Sequence, residues 1–285
     1  MIQRLAVIGV GLLGGSIAQA ARAHGLAREI VGVGRHITRL EPALRDGTLD
    51  RATADPVDGV RDADFVVLAT PVQTIERMLG TLWPALEADA LVTDVGSTKA
   101  AIVRTAERLG ADLPRPFVGS HPMAGSEQSG YGVARVDLLR GATVIVTPSE
   151  ASAPAAVKAV AAFWEALGAG RVLTMDPVAH DRAVAAVSHL PHLVACALVD
   201  AVERLDPAAF DVAASGFRDT TRIAAGDPEV WEAIFLANRE AMAASTREFL
   251  RALAELSRLL DTDDGAALRA ALARIKARRD GLRIP

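Results

Sequence analysis

The chain has 285 residues, which is long for a single compact core and enough for two domains. Hydrophobic residues make up 51%, charged residues 23%, and the formal net charge is -4, a soluble globular composition that argues against a nucleic-acid partner. A single cysteine excludes internal disulfides and a cysteine zinc cluster. No apolar run approaches the ~20 residues of a membrane span, and no signal peptide precedes the first strand, so we expect a cytoplasmic protein.

The first segment of the chain runs from four apolar residues into a glycine motif and then an Ala-rich helix. Gly9 suits the tight turn out of a strand, Gly11 lets backbone approach a pyrophosphate, and Gly14 lets the helix pack on the sheet. Leu12 and Leu13 lie between the last two glycines, where free N–H groups at a helix N-terminus favour phosphate. The segment therefore predicts a dinucleotide-binding site.

Continuously apolar segments predict the strands that follow, at 30–33, 65–69, 91–94, 143–146 and 171–174. Helical segments alternate with them, at 37–45, 72–85, 99–109 and 153–167. This alternation is typical of a parallel sheet with helices on both faces. We predict an α/β fold, with a Rossmann-type dinucleotide-binding domain over residues 1–174.

From residue 176 onward the sequence shows helical patterns and no strand. Helices are predicted at 177–205 with an interruption near Pro191, and at 207–214, 228–260 and 264–279. We therefore expect residues 175–285 to form an all-helical substrate and dimerisation domain. The wide Ala/Leu faces of 228–260 predict a homodimer.

Polar residues follow two strands at the edge where α/β sheets bind ligands. Ser97 and Thr98 follow strand 91–94, and either one also suits a plain helix N-cap. His121 sits before a proline-containing turn, where a half-exposed loop histidine is an equal alternative. Neither segment is decisive alone.

Two histidines, His189 and His192, flank Pro191 inside an apolar helix. They could be core residues with satisfied nitrogens or metal ligands, with carboxylates such as Asp181 nearby, but no ligand spacing completes a metal site. Arg222 lies ahead of a helix, where a guanidinium is either solvated or available to a substrate carboxylate.

Taken together, these segments resemble one family. The motifs are Gly-x-Gly-x-x-Gly at 9–14, Asp-Val-Gly-Ser-Thr-Lys at 94–99, Gly-Ser-His-Pro-Met-Ala-Gly at 119–125, Ser-His-Leu-Pro-His at 188–192, and Thr-Arg-Ile-Ala at 221–224 with Trp231. In this order they look like the prephenate and arogenate dehydrogenases of tyrosine biosynthesis. The resemblance runs from residue 5 to about residue 240.

This resemblance implies oxidative decarboxylation of a cyclohexadienol, with hydride passing to a nicotinamide. It implies that His121 removes the carbinol proton, that Ser97 orients His121 by a hydrogen bond, and that Arg222 binds the ring carboxylate. Further substrate contacts are implied for two helical-domain histidines and two loop residues: His189, His192, Ser126 and Glu127.

The end of the second strand predicts the cofactor. NAD sites place a carboxylate there, whereas this strand ends in Gly34-Arg35-His36 with no carboxylate before Glu41. We therefore expect NADP in preference to NAD, with Arg35 near the 2′-phosphate, unless Arg35 is merely solvated and both cofactors bind. Thr70 and Pro71, after strand 65–69, complete the predicted cofactor residues.

Two other functions remain open from the sequence. A hydroxyacid dehydrogenase of the 6-phosphogluconate type usually needs a lysine from its helical domain, and none occurs between Lys158 and Lys276. A non-catalytic dinucleotide sensor would keep the glycines but would have no need for Ser97, His121 and Arg222.

Overall fold

The computed structural model describes residues 1–126, 128–262 and 264–282. The strands, in chain order, are β1 (Ile2–Ile8), β2 (Ala27–Val33), β3 (Arg51–Thr53), β4 (Phe65–Leu68), β5 (Leu91–Asp94), β6 (Gly119–Pro122), β7 (Thr143–Thr147) and β8 (Arg171–Thr174). The α-helices are α1 (Leu12–Ala23), α2 (Glu41–Arg45), α3 (Pro56–Val60), α4 (Val72–Leu82), α5 (Ala100–Asp112), α6 (Pro154–Ala166), α7 (Pro177–Val184), α8 (Leu190–Leu205), α9 (Ser215–Thr221), α10 (Pro228–Ala237), α11 (Arg239–Asp261) and α12 (Gly265–Asp280).

The first half of the chain is built on a parallel sheet in the order β3-β2-β1-β4-β5. Successive residues of a buried strand face opposite sides, so Leu5 and Val7 join one apolar core and Ala6 and Ile8 join the other. Helices cover both faces. The α/β prediction, with a Rossmann-type first half and a helical second half, is confirmed.

The strand at 143–147 lies outside that parallel sheet, contrary to the single sheet that we expected. It forms a second sheet in the order β6-β7-β8, where β6 is antiparallel and β8 parallel to β7. Parallel pairing needs a crossover, usually a helix, whereas β6 and β7 are joined by a loop that lets the chain turn back. A parallel bridge from Val92 to Phe117 connects the two sheets.

The second half begins with a continuous helical run, Pro177–Leu205. Its middle, Ala185–His189, is a π-helix that ends just before Pro191, so the expected interruption is a widened turn and not a break. By length and composition alone this run could cross a membrane, and 28% of its most apolar window is buried. Its buried residues include the polar side chains of His180, Asp181 and His192.

The helix predicted at 228–260 is two helices, α10 and α11, separated at Asn238. The Asn238 amide donates to the backbone oxygen of Asp181 at 2.7 Å and to Nδ1 of His189 at 3.2 Å. Asparagine is a weak helix former, and here its side chain ties three elements of the helical half together.

Candidate active site

The glycine turn after β1 has the geometry of a phosphate cradle. Gly9 has φ +97°, a conformation that favours glycine, and an added Cβ would lie 2.7 Å from the oxygen of Ala69. A Cβ on Gly14 would lie 2.0 Å from the oxygen of Gly9, so helix α1 packs directly on the turn. A Cβ on Gly11 would meet nothing within 4 Å, which leaves space for a ligand against the backbone.

Other predicted cofactor residues surround this turn. Thr70, next to the end of β4, lies 2.8 Å through its methyl group from the position of a Gly9 Cβ. Its hydroxyl is buried and has no hydrogen-bond partner within the described residues, which is the state expected of a group that awaits a ligand. Leu12 and Leu13 open α1, whose N-terminus carries no side-chain cap, and Pro71 is exposed beside Thr70. These groups fit a dinucleotide.

Arg35 is exposed in the loop that follows β2. The amide of Gly34 donates to the oxygen of Thr53 at 3.2 Å, so the loop leaves the sheet beside β3. Arg35 and Arg39 both face solvent there.

His121 lies at the carboxyl edge of the sheet. Phe117 pairs in parallel with Val92, so the chain then runs alongside β5 and brings His121 level with the turn after Asp94. The hydroxyl of Ser120 donates to the backbone oxygen of Asp94 at 2.6 Å and fixes this alignment. His121 is only 9% exposed.

A buried ion pair shapes the turn between β5 and α5. The ammonium of Lys99 contacts the carboxylate of Asp94, and both side chains are fully buried. Burial raises the pKa of Asp94 and lowers that of Lys99, and their mutual attraction opposes both changes. The amide of Gly96 donates to the same carboxylate at 2.8 Å, which holds the backbone just before Ser97.

His121 makes its hydrogen bond to the helical half of the chain and not to Ser97. Its Nδ1 lies 3.0 Å from Nε2 of His180, and Nδ1 of His180 lies 2.8 Å from Oδ1 of Asp181. Burial, then the nearby charges of His180, Lys99 and His189, holds the pKa of His121 well below its usual value. A neutral imidazole is the form that accepts a proton.

Asp181 also takes the capping role that the sequence predicts for Ser97 or Thr98. Its carboxylate accepts from the amide of Lys99 at 2.7 Å and from that of Ala100 at 2.9 Å, at the N-terminus of α5. Sequence analysis missed His180 and considered Asp181 only as a metal neighbour. Their sole local signal is a position in the first turns of a well-capped helix, whose Asp176 accepts two amides.

His189 and His192 are buried, and each has a ring nitrogen without a partner. Nε2 of His189 and Nδ1 of His192 make no hydrogen bond within the part of the chain that the structure describes. Burial lowers the pKa of His189 to about 4 and also lowers that of His192. Trp231 stacks on His192 with ring centroids 3.5 Å apart. Two buried, unpartnered nitrogens beside an indole suit a polar ligand with a flat ring.

The predicted carboxylate-binding segment packs against the same histidine. Arg222 is exposed and opens the short 3₁₀ turn Arg222–Ala225. Gly226 follows, and an added Cβ there would lie 2.4 Å from the Trp231 indole nitrogen and 3.1 Å from Cε1 of His192. The turn that carries Arg222 therefore lies beside His192 and Trp231.

Of the two loop residues predicted to contact substrate, the structure describes one. Ser126 is exposed, and its hydroxyl accepts from the amide of Gln128 at 3.2 Å. Glu127 lies outside the described residues. Within residues 1–126, 128–262 and 264–282, no group of three His, Cys, Asp or Glu side chains could hold a metal ion.

Family models match both halves of the chain. The model described as "Prephenate dehydrogenase, nucleotide-binding domain" matches residues 17–173, and "Prephenate dehydrogenase, dimerization domain" matches residues 176–274.

Known proteins match over nearly the whole chain. A prephenate dehydrogenase of Bacillus subtilis is 34% identical, covering 99% of this chain and 76% of the relative. The crystal structure of an Aquifex aeolicus prephenate dehydrogenase with hydroxyphenyl propionate and NAD⁺ superposes with a TM-score of 0.91 and 35% identity, covering 98% of each chain. That of a Synechocystis arogenate dehydrogenase gives 0.84 and 32%, covering 98% of this chain and 99% of that one. With both family models and full-length relatives in agreement, the chain belongs to the prephenate dehydrogenase family.

Proposed function

We propose that the protein oxidises and decarboxylates prephenate, or its amino analogue arogenate, with NAD(P) as hydride acceptor, in tyrosine biosynthesis. The observation that carries this function is His121: a buried, neutral histidine at the carboxyl edge of the sheet, with Nδ1 engaged by His180. Relatives named prephenate and arogenate dehydrogenase support the substrate class.

The chain's own residues would act on the ring carbinol. Nε2 of His121 makes no hydrogen bond to any described residue, so it is the nitrogen available to accept the hydroxyl proton. NAD(P), which the glycine turn at Gly9, Gly11 and Gly14 would hold, would supply the acceptor for the hydride of the carbinol carbon. Breaking the bond to the ring carboxylate then releases carbon dioxide and leaves its electron pair in the ring, which becomes a phenol.

Substrate contacts are proposed for the helical half. Arg222 would bind the ring carboxylate with its guanidinium fork, and the unpartnered nitrogens of His189 and His192 would take polar groups of the substrate. Ser126 would contact the substrate from the loop over the cleft. Ser97, half-buried after the ion-paired turn, would approach the carbinol side without bonding His121 in the unliganded chain.

Arg222 can be tested with both substrates. Prephenate and arogenate share the ring carboxylate and differ in the side chain, so Arg222→Ala should weaken both equally. Truncating one partner of such a pair costs about 2–5 kcal/mol, and Arg222→Lys should also be impaired because it loses the fork. Steady-state kinetics that show a defect with one substrate alone would assign Arg222 to the side chain instead.

We further propose a preference for NADP over NAD and for prephenate over arogenate. The exposed Arg35 after β2, with no carboxylate nearby in sequence, supports the first. Comparison of kcat/KM for the two cofactors tests it, and Arg35→Gln should reduce efficiency with NADP while leaving NAD unaffected. A higher wild-type efficiency with NAD would overturn the preference.

We propose a cytoplasmic homodimer with the domain division at residues 174 and 175. Leucines of the helical half are strongly exposed in the single chain, including Leu205 at 85% and Leu260 at 66%. A second copy would cover such a surface, and the dimerization-domain model that matches residues 176–274 supports this arrangement.

One assay separates this function from the alternatives. Reduction of NAD(P) on addition of prephenate, followed at the nicotinamide absorbance, should give turnover with release of carbon dioxide. Turnover with aliphatic hydroxy acids alone would favour the 6-phosphogluconate type. Cofactor binding without turnover of any of these substrates would favour a sensor.

A further inference from the structure

A chain of hydrogen bonds from Asp181 through His180 to His121, here called the relay, connects the helical half to the proposed base. Oδ1 of Asp181 lies 2.8 Å from Nδ1 of His180, and Nε2 of His180 lies 3.0 Å from Nδ1 of His121. His180 is completely buried. Both of its ring nitrogens are therefore committed to protein partners, and no part of it is available to substrate.

The chemistry of the partners assigns the protons. Asp181 already accepts from two backbone amides at the start of α5, and a carboxylate in that position can only accept. Nδ1 of His180 therefore donates to Asp181, and in a neutral His180 the Nε2 atom carries a lone pair. Nδ1 of His121 must then donate to it, so the proton of neutral His121 is on Nδ1 and the lone pair is on Nε2.

We propose that His180 and Asp181 are positioning residues that hold His121 in its Nδ1–H tautomer and so present Nε2 as the basic atom. The inference rests on the proposed role of His121 as the base. It goes further by naming which atom accepts the proton and which residues make that choice.

His180 and Asp181 are held rigidly, because neighbouring elements fix Asp181 from several directions. Asp181 is held by the amides of Lys99 and Ala100, and its backbone oxygen accepts from Asn238 at 2.7 Å. His121 sits on β6, in the sheet half, whereas His180 and Asp181 sit on α7. The tautomer of the base is therefore set only when the two halves are docked.

The surroundings of His121 favour its neutral form. Burial is the largest cause of the lowered pKa of His121, and the next causes are His180, Lys99 and His189. A second positive charge within hydrogen-bonding distance of His121 would be costly, so the relay sets orientation and tautomer while His121 alone accepts the proton. The arrangement resembles the base and its orienting carboxylate in a nucleophile triad, with one imidazole interposed.

Two substitutions at His180 separate positioning from packing. His180→Leu fills much of the space but offers no acceptor to His121. His180→Gln restores an amide oxygen able to accept from His121 Nδ1. We expect His180→Leu to lose kcat by about 10- to 1000-fold with KM for prephenate and cofactor changed by less than about threefold, and His180→Gln to recover most of kcat.

Asp181→Asn keeps the shape of the carboxylate while adding an amide donor. With an amide N–H towards His180, the relay would reverse and His121 would carry its proton on Nε2. We expect a loss of kcat similar to that of His180→Leu. Thermal unfolding with and without cofactor identifies any variant that fails to fold. The kcat values of the variants that do fold then test the proposal.

¹⁵N spectra of histidine-labelled full-length protein read the tautomer without any turnover. The His121 signals are assigned by their loss in His121→Asn. We expect protonated Nδ1 and unprotonated Nε2 in the wild type and in His180→Gln, and an altered pattern in His180→Leu. A proton on Nε2 of wild-type His121, or unchanged tautomer and kcat in folded His180→Leu, would overturn the inference. Absence of turnover with prephenate and arogenate, alongside the expected wild-type tautomer, would instead overturn the proposed function.

Discussion

The two halves of this molecule differ in how much of their apolar surface they bury. In the sheet half, residues such as Leu5 and Trp164 are buried in one continuous core and Leu68 in a second. Among the described residues after β8, Ala237 alone packs against either core, while many leucines face outward. Both halves bury polar side chains, and those of the helical half are His180, Asp181, His189, His192 and Asn238.

This difference indicates what specifies each half. Apolar burial in two cores dominates the sheet half, which also buries polar groups such as the Asp94–Lys99 ion pair. In the helical half, His189 and His192 are buried with one ring nitrogen each that has no hydrogen-bond partner among the described residues, and many leucines are exposed. A bound ligand would supply hydrogen bonds to the buried nitrogens of this half, and a second copy of the chain would cover its leucines.

The largest effect is expected from removal of the proposed base, which should lower turnover without changing cofactor binding. His121→Asn should lower kcat by on the order of 10² to 10⁴, because the proton acceptor is lost. The glycine turn after β1 is untouched, so the Kd for the cofactor should stay within about twofold. Stopped-flow turnover and cofactor titration measure the two quantities, and near-normal turnover would move the base elsewhere, first to His192.

The next effect concerns the exposed leucines of α11. Leu250 and Leu253 are 55% and 52% exposed and lie three residues apart, on one helix face. Glutamate at either position should weaken dimerisation by about 2–4 kcal/mol, because a carboxylate would be buried at the interface. Light scattering at micromolar concentration should show monomer.

Val136→Glu is the matched control in the sheet half. Val136 is 45% exposed, and this substitution should change neither mass nor stability by more than about 0.5 kcal/mol. A wild type that is already monomeric, or a control that dissociates equally, would contradict the assignment of the dimer surface to the helical half.

The sheet half was also the more predictable half. Strand 91–94 matches β5 residue for residue, and the glycine roles follow from local backbone geometry. The loop from β6 to β7 was misjudged, because strand–helix alternation assumes a crossover helix that this loop lacks.

The contacts around His121 were beyond local sequence patterns. His121, Lys99 and Arg222 stand in motifs, but the relay joins residues 59 positions apart and then passes to the adjacent Asp181. The capping of α5 by Asp181 spans 81 and 82 positions. Sequence analysis found a suitable local cap in Ser97 or Thr98 and had no means of seeing that tertiary structure supplies another.

Two glycine substitutions test the geometry of the cofactor site. Gly14→Ala should destabilise the unliganded protein by about 1–3 kcal/mol, because its Cβ would lie 2.0 Å from a backbone oxygen. Gly11→Ala should leave unliganded stability unchanged, since nothing lies within 4 Å, but should weaken cofactor binding. Thermal unfolding and cofactor titration distinguish them, and equal destabilisation by both would contradict the cradle geometry.

The smallest expected effect is a pH dependence of stability that originates in the helical half. The pKa of His189 falls from 6.5 to about 4 on folding, chiefly by burial, with His180 and His192 adding to the shift and Asp181 opposing it. Between these values the unfolded chain binds more protons, so the free energy of unfolding rises with pH there. The contribution is complete above about pH 6.5 and is lost as pH falls towards 4.

For His189 alone this amounts to about 1 kcal/mol between pH 7 and pH 5.5. His189→Asn keeps an acceptor for Asn238 and removes the titrating ring, so its stability should fall less over the same interval. Denaturant unfolding at fixed protein concentration at both pH values gives the comparison, and only the difference between them is used, because the substitution also changes packing. An equal pH-dependent loss in wild type and variant would show that His189 keeps an ordinary pKa in the fold. In that case the nitrogen without a partner would be exposed to water, and the helical half would not form a dry, preorganised substrate pocket.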